Sequence, residues 1–319
     1  MSIIGLITNP LSTLNKKSGS AFARALAGNP AVRIAEFRRP EDLPPAIEGF
    51  AAEGIGTICV DGGDGTVSAV MTEILRRPDD GWQPRLAVLA GGMLNLIAQN
   101  YGTQGDRLDA VRRLAATGDD PVRLAATTIE RPVLELRTGG EAPRAGCFFG
   151  AAGVHDATRL AHDRLHPAGA KRSAAAGMSI AGTLLSVLFR RGEGSLHAGR
   201  PLRLEVDGSC VPGERRLFLV VSTLDHLILG LWPFWDQGEG GMRYIDCLAP
   251  PRCLSLALPT FFTGRPWRWM RERGYAGGRA RQIAIWLDTP MVLDGEIVVP
   301  EPGKPVRLTA ERTLRFVKV

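Results

Sequence analysis

The first third of the chain alternates short apolar runs with amphipathic stretches of helical length. The apolar runs predict strands at residues 3–8, 32–37, 56–60 and 86–89. The stretches between and after them predict helices at residues 12–27, 41–53, 66–77, 94–101 and 107–117. This alternation is typical of a parallel sheet with helices on both faces, because every parallel connection needs a crossover. The pattern therefore predicts an α/β fold for this part of the chain.

After about residue 121 the pattern changes to short β-like runs separated by Gly, Pro and Asp. These runs predict strands at residues 122–127, 133–137, 203–206, 217–222, 283–287 and 297–299. We therefore predict an α/β domain at residues 1–122 and a second, mainly antiparallel domain at residues 123–300. A helical insertion interrupts the second domain at about residues 155–189. A C-terminal segment follows at residues 301–319, for which a return to the first domain is one alternative.

Composition and charge narrow the class of protein. Hydrophobic residues make up 45% of the chain and charged residues 23%, which excludes a disordered or polytopic membrane chain. The net charge of +6 favours anionic partners such as nucleotides, nucleic acid or acidic lipid. Five cysteines form no Cys-x-x-Cys pair, and an odd count of this kind is typical of free thiols in a reducing compartment. We therefore expect a cytoplasmic protein.

A glycine-rich turn joins the third predicted strand to the helix that follows it. Gly62, Gly63 and Gly65 let main-chain amides approach a phosphate, and the helix that opens near Thr66 adds unpaired donors. Asp64 fits beside a phosphate if Mg²⁺ bridges the two charges, or else it caps a helix. The turn lacks the Gly-Lys-Ser/Thr of a Walker loop and the third glycine of a dinucleotide fingerprint. A plain strand-to-helix turn remains the alternative interpretation.

Two further strand-to-helix connections fall at the same predicted edge of the sheet. Gly91, Gly92 and Asn95 follow the fourth strand, and a polar stretch after the first strand contains Asn9, Ser12 and Thr13. The carboxyl ends of parallel strands are where ligands bind in open α/β sheets. The loops together predict a phosphate-binding cleft, although Ser12 taken alone is better explained as a helix cap.

Four motifs together resemble the diacylglycerol kinase catalytic family, which includes bacterial lipid kinases and the sphingosine kinases. They are Asn9-Pro10, the Gly-Gly-Asp-Gly-Thr run at 62–66, Gly91-Gly92-x-x-Asn95, and Asp-Gly-Glu at 294–296. The run at 62–66 is shared with NAD kinases and phosphofructokinases. The resemblance implies an α/β nucleotide-binding domain and a β-sandwich-like domain, with ATP and substrate meeting between them.

The resemblance also implies roles for individual residues. Glu296 matches the general base, with Asp294 beside it and Asp64 as a third catalytic residue that also holds Mg²⁺ through Mg-ATP. The nucleotide contacts would be Asn9, Ser12, Thr13, Gly62, Gly63, Asp64, Gly65, Thr66, Gly91, Gly92 and Asn95. A carboxylate at 296 suits a kinase because the attacking alcohol must lose its proton. Taken alone, residues 293–297 predict only a hairpin turn.

The chain departs from the family at three positions near these loops. Ala69 stands where the family usually has Glu, and Ala90 and Met93 replace the usual Pro and Thr. Each change removes a polar or shaping contact. A member that binds its ligands without catalysis therefore stays among the alternatives.

Four of the six tryptophans lie in two segments, residues 227–235 and 261–271, and the second of these also contains three arginines. Tryptophan beside arginine suits a bilayer interface, and aromatic core packing is the alternative. The chain shows no RNA-binding signature, so we expect no nucleic-acid partner. His162 and His166 lie four residues apart, which fits a metal pair less well than a solvated helix face.

These observations give one leading hypothesis and two alternatives. The leading hypothesis is an ATP-dependent lipid kinase that phosphorylates a hydroxyl of a diacylglycerol-like, other glycerolipid or sphingoid substrate. It would work in the cytoplasm, peripherally associated with the inner membrane face and attracted to anionic lipid. The alternatives are an NAD kinase and a catalytically silent lipid- or nucleotide-binding protein. The oligomeric state is left open, with a homodimer as one alternative.

Overall fold

The computed structural model describes residues 3–18, 25–103, 105–117, 120–158 and 196–318. The chain divides into two units. The N-terminal unit comprises Met1–Pro132 and Arg312–Val319, and the second unit comprises Val133–Glu311. Residues 153–158 are helical. The remainder of the predicted insertion, including His162 and His166, lies outside the described residues.

The N-terminal unit is built on one six-stranded sheet in the order β2-β1-β3-β4-β19-β5. Its strands are β1 Ile4–Thr8, β2 Val32–Glu36, β3 Thr57–Gly62, β4 Arg85–Ala90, β5 Thr128–Pro132 and β19 Thr313–Val317. The first four strands and β19 run parallel, whereas β5 is antiparallel to β19. Every residue of β1 and β3 is buried, as expected of central strands covered on both faces.

The helices of this unit are α1 Asn15–Ser18, α2 Leu43–Ala52, α3 Asp64–Arg76, α4 Leu96–Tyr101, α5 Arg107–Thr117 and α6 Pro121–Thr127. The predicted strand at residues 122–127 was wrong, because this segment forms α6. The Asp120 carboxylate accepts hydrogen bonds from the amides of Val122 and Arg123, and Pro121 occupies the first helical turn. A side-chain cap followed by Pro starts a helix despite the apolar run.

The structure changes from one unit to the other after Pro132 rather than after residue 122. The segment at Arg312–Val319 supplies β19, which lies between β4 and β5 in the N-terminal sheet. Phe316 of this strand is fully buried and packs on Tyr101 with 4.9 Å between ring centroids.

The second unit contains two antiparallel sheets. Its strands are β6 Leu134–Thr138, β7 Arg144–Gly146, β8 Phe148–Ala152, β9 Arg200–Pro201, β10 Arg203–Val206, β11 Ser209–Val211, β12 Arg215–Ser222, β13 Met242–Leu248, β14 Tyr275–Ala280, β15 Gln282–Trp286, β16 Met291–Leu293, β17 Glu296–Val298 and β18 Val306–Thr309. One sheet has the order β11-β10-β15-β18-β6-β7. The other has the order β14-β13-β12-β8-β16-β17, with β9 paired to β12.

The two sheets share one apolar core. Phe149 and Leu219 of one sheet lie in the same buried cluster as Leu136 and Ile285 of the other. Sheets that bury alternate residues against each other form a β-sandwich. The predicted fold class, an α/β domain followed by a mainly antiparallel β-sandwich-like domain, is therefore confirmed.

Three short helices of the second unit pack on a separate apolar cluster. They are α7 Leu254–Ala257, α8 Thr260–Thr263 and α9 Arg268–Glu272. None of the helices in the described part of the chain combines the length and hydropathy needed to cross a bilayer. All five cysteines are free thiols.

A buried ion pair connects β12 to β13 in the second unit. Arg216 is fully buried and donates to the Asp246 carboxylate and to four backbone carbonyls, those of Leu202, Val211, Pro212 and Gly213. Burial raises the pKa of Asp246 to about 7, and Arg216 opposes that rise. The guanidinium thus satisfies polar groups from three segments that would otherwise lie unpaired in the interior.

We predict that Arg216→Met destabilises the protein by about 3–5 kcal/mol, because it leaves the buried Asp246 carboxyl and four backbone carbonyls without their donor. The free energy of unfolding would be measured by urea denaturation. Arg307→Met is the control, since Arg307 is exposed on β18 and should change stability by no more than about 0.5 kcal/mol. Equal effects of the two substitutions would show that Arg216 does not have this role.

Candidate functional site

Three loops of the N-terminal unit meet at the carboxyl ends of neighbouring parallel strands. The first loop, residues 9–14, follows β1, and the third loop, residues 91–95, follows β4. The second loop, residues 62–65, comprises the last residue of β3, Gly63 and the first two residues of α3. Backbone hydrogen bonds join them directly. The Asn9 amide donates to the Asp61 carbonyl at 2.9 Å, the Gly91 amide to the Gly62 carbonyl at 2.9 Å, and the Leu14 amide to the Gly91 carbonyl at 3.1 Å. The three predicted loops therefore form one site.

The glycines of the second and third loops are required by close packing of the two backbones. A Cβ on Gly92 would lie 2.5 Å from the Gly63 Cα, and a Cβ on Gly91 would lie 2.8 Å from the backbone of Gly62. A Cβ on Gly62 would in turn lie 2.5 Å from the Cβ of Thr66. No ordinary side chain fits at these distances. The glycine pattern thus has a structural cause, the close packing of the two loops, and its role in ligand approach stays a prediction.

Asp64 caps the helix that follows the third loop. Its two carboxylate oxygens accept hydrogen bonds from the amides of Leu96 and Ile97, the first residues of α4, at 3.0 and 2.9 Å. Burial raises the pKa of Asp64, and the amide donors of Ile97 and Leu96 oppose that rise. Of the two roles predicted for Asp64, the structure shows that of a helix cap. The helix that Asp64 caps is α4, whereas Asp64 itself begins α3.

The start of α3 is left open by this arrangement. Its N-cap residue is Gly63, which offers no side-chain hydrogen bond, and Asp64 faces α4 instead. The Thr66 and Val67 amides turn back to the Gly63 carbonyl. The first amides of this 13-residue helix therefore receive no hydrogen bond from a capping side chain, which favours an anion at its N-terminus.

Side chains of the first loop extend the polar lining. The Asn9 side-chain amide donates to the Thr66 hydroxyl at 2.8 Å, which fixes the first loop to α3. The Ser12 hydroxyl is buried and has no hydrogen-bond partner among the described residues. Thr13 is exposed. A buried hydroxyl without a partner is costly unless a ligand supplies one.

Asn95 shapes the third loop from within. It adopts a left-handed backbone conformation with φ of 52°, which asparagine tolerates better than most residues. Its side chain accepts from the Gly92 amide at 2.6 Å and donates to the Gly92 carbonyl at 3.0 Å. Asn95 therefore positions Gly92 in the loop, and the cofactor contact assigned to Asn95 stays a prediction.

Sequence reasoning missed a buried network beneath the loops. The Asp61 carboxylate is fully buried and accepts hydrogen bonds from the Thr8 hydroxyl at 2.9 Å, from the Asn15 side-chain amide at 2.7 Å and from Arg107. Asn15 also donates to the Asn9 carbonyl. The only signal for this network was an aspartate inside an otherwise apolar strand end. No sequence signal pointed to Arg107, because it lies 46 residues from Asp61 in the chain.

Asp294 and Glu296 lie in the second unit, on the hairpin that joins β16 to β17. Asp294 and Gly295 have φ of 46° and 89°, which is the turn predicted from the sequence. The Asp294 carboxylate is buried and accepts from the amides of Cys147 and Phe148. It therefore fixes the hairpin to β8. Glu296 is exposed, and no hydrogen bond or ion pair of its side chain is found within the described ranges. The catalytic roles of both residues stay predictions.

Comparison with known proteins agrees with the motifs. Residues 4–127 match the family model of the diacylglycerol kinase catalytic domain, which confirms the family resemblance. The solved structure of a candidate diacylglycerol kinase from Bacillus anthracis str. Sterne is 16% identical, with a TM-score of 0.64 over 99% of this chain and 97% of that one. A diacylglycerol kinase from the same strain is 15% identical, with a TM-score of 0.59 over 99% and 96%. At these identities the likeness shows the fold. No curated protein matches the chain.

We predict that Gly92→Ala lowers the free energy of unfolding by about 1–3 kcal/mol, because the new methyl group collides with the backbone of the second loop. Gly49→Ala is the matched control. A methyl group on Gly49, which lies in α2, would meet no heavy atom within 4 Å beyond the backbone of its own helix, so this substitution should stabilise by about 0.4–1 kcal/mol. Urea denaturation followed by circular dichroism measures both. A neutral Gly92→Ala would contradict the close contact between the loops.

Proposed function

We propose that this chain, whose residues 4–127 match the diacylglycerol kinase catalytic domain, is an ATP-dependent lipid kinase. The proposed reaction transfers the γ-phosphoryl group of ATP to a hydroxyl of a diacylglycerol-like, other glycerolipid or sphingoid lipid. The observation that carries the proposal is the uncapped start of α3 in the N-terminal unit, which Asn9 joins to the loop that carries the buried, unpartnered hydroxyl of Ser12.

The residues of this site fit the phosphates of a nucleotide. Main-chain amides at the start of α3 and the Ser12 hydroxyl are donors, which is what phosphate oxygens need. The close packing of the second and third loops holds the start of α3 in place before a ligand arrives. Such preorganisation stabilises the charge that develops during phosphoryl transfer.

The donor set fits Mg²⁺ only as a partner of the nucleotide. No group of three or more His, Cys, Asp or Glu side chains suited to a metal occurs in the described part of the chain. Asp64 is the carboxylate of the loops, and it already accepts two amide hydrogen bonds. Mg²⁺ commonly keeps its waters and binds through one carboxylate and substrate phosphates. In the proposal Asp64 contributes a remaining lone pair, and the metal supplies charge neutralisation.

Glu296 removes the proton in the proposed reaction. The lipid hydroxyl oxygen attacks the γ-phosphorus, the bond from phosphorus to the bridging oxygen breaks, and the hydroxyl proton passes to the Glu296 carboxylate. ADP leaves with the electrons of the broken bond. An exposed carboxylate with no ion pair inside the described ranges is available for this role, and Asp294 holds its hairpin in place.

A catalytically silent nucleotide- or lipid-binding protein is the second candidate. The engagement of Asp64 with α4 is the observation that favours it, because the carboxylate then serves the loop structure. The replacements Ala69 and Met93 point the same way. An assay that offers both lipid and NAD as acceptors separates the candidates: the kinase labels lipid, an NAD kinase labels NAD, and a silent protein labels neither.

We predict that Glu296→Gln lowers kcat for lipid phosphorylation by about 10²–10⁴-fold, because the general base is lost. The measurement is transfer of labelled γ-phosphate from ATP to diacylglycerol and sphingosine in mixed micelles. ATP affinity should not change. Glu311→Gln is the control, since Glu311 is an exposed glutamate of the same unit. Equal rates for Glu296→Gln and wild type would remove the assigned base.

We predict that Ser12→Ala weakens ATP binding by about 3- to 10-fold, because one neutral hydrogen bond to phosphate is lost. The same substitution should leave the stability of the ligand-free protein unchanged or raise it, since the hydroxyl has no partner among the described residues. Calorimetric titration with Mg-ATP and urea denaturation measure the two effects. Ser209→Ala is the control, because Ser209 is exposed in the other unit. Lower stability without weaker ATP binding would mean that Ser12 is structural.

A further inference from the structure

We propose that residues 252–273, which we call the aromatic–arginine segment, form a docking surface for an anionic lipid bilayer. The segment contains α7, α8 and α9 of the second unit. The inference rests on the proposed function and deepens it, because a lipid kinase must reach a substrate that resides in a membrane. It names the part of this chain that makes the contact.

Exposure distinguishes this segment from the other tryptophan-rich stretch. In residues 227–235, Phe234 and Trp235 are almost fully buried and belong to the apolar cluster of this unit. In the aromatic–arginine segment, Leu256, Phe262 and Trp267 remain 58%, 46% and 48% exposed. Core packing therefore explains the first stretch, whereas the second presents large apolar side chains to solvent.

The inner side of the same helices anchors the exposed side chains. Leu254, Phe261 and Met270 are buried in the apolar cluster. The ring of Trp267 contacts that of Trp269 at 6.0 Å between centroids, and Trp269 contacts buried Tyr275 at 6.1 Å. Trp267 is thus held by a chain of edge-to-face ring contacts that leads into the core. Rigid presentation lowers the entropy cost of inserting an aromatic ring into a bilayer interface.

The charge of the segment matches an anionic surface. It carries five arginines and one acidic residue, Glu272. Arg252, Arg265, Arg268 and Arg273 are exposed and form no ion pair with any other described residue. Surface arginines in a folded protein commonly have carboxylates nearby, as Arg33 has Glu53. Here four guanidinium groups stay available for phosphate headgroups beside the exposed apolar side chains.

A bilayer fits these residues better than single-stranded nucleic acid does. Bases stack on aromatic faces, and such sites combine aromatic rings with a basic groove. The exposed apolar group here includes the aliphatic Leu256, which offers no face for stacking. Leucine, phenylalanine and tryptophan with flanking arginines are typical of helices that lie in the headgroup region of a bilayer.

Co-sedimentation with vesicles tests the inference without ATP. The full chain should bind vesicles of phosphatidylcholine containing about 30% phosphatidylglycerol and bind pure phosphatidylcholine at least about 10-fold more weakly. The double variant Arg265→Gln/Arg268→Gln should bind the anionic vesicles about 30-fold more weakly, because each arginine near the surface contributes to attraction. Its matched control is Arg137→Gln/Arg307→Gln, which removes two exposed arginines from paired strands β6 and β18.

A second variant tests the apolar contribution. Trp267→Ser should weaken vesicle binding about 10-fold and reduce quenching of tryptophan fluorescence by brominated lipid. Val122→Ser is its control, because Val122 is 76% exposed in the N-terminal unit. Circular dichroism of each variant establishes that it is folded before binding is compared.

The outcomes separate docking from catalysis. Glu296→Gln should bind vesicles as tightly as wild type, so a failed kinase assay leaves the docking result intact. Equal losses in the arginine variant and its control would mean that net charge, rather than this segment, drives binding, and would overturn the inference. Equal binding to neutral and anionic vesicles, or binding to single-stranded oligonucleotides in preference to vesicles, would also overturn it.

Discussion

The hydrogen bonds from the Leu96 and Ile97 amides to Asp64 are the interaction on which the site depends. Asp64 begins α3, yet its negative charge compensates the dipole of α4. The N-terminus of α4 is thereby capped, whereas the N-terminus of α3 has no capping side chain. Because the residue that begins α3 also caps α4, the position of the third loop and the availability of the α3 amides are fixed together. The glycine contacts between the loops leave little room for any other arrangement.

A second aspartate stabilises the same site from below. Asp61 collects donors from β1, α1 and the start of α5, so it ties together elements that are distant in the chain. In these contacts the Asp61 carboxylate oxygens accept from those three donors and not from the amides at the start of α3. The carboxylates of the two acidic residues in this strand-to-helix turn therefore accept hydrogen bonds from other elements, and the first amides of α3 have no side-chain acceptor, which suits an anion site.

Sequence reasoning located the loops but not what holds them. The strands and the glycine turns could be predicted from local patterns. The apolar run of a buried strand indicated β3, and the glycines that follow it indicated the second loop. The partner of Asp64 lies 32 residues away and that of Asp61 lies 46 residues away, and such polar contacts leave no period in the sequence. The segment at 122–127 was misassigned because the Asp120 cap outweighed its β-like composition.

The placement of β19 has a consequence for biosynthesis. Thr313 pairs with Pro132, so the chain leaves the N-terminal sheet and re-enters it at neighbouring positions after the whole sandwich has been made. During synthesis on a ribosome, β4 has no β19 to pair with until the whole of Val133–Glu311 has been translated. At common elongation rates this takes on the order of ten seconds or more. During that interval the sandwich can complete itself, whereas Tyr101 of the N-terminal unit lacks its later contact with Phe316.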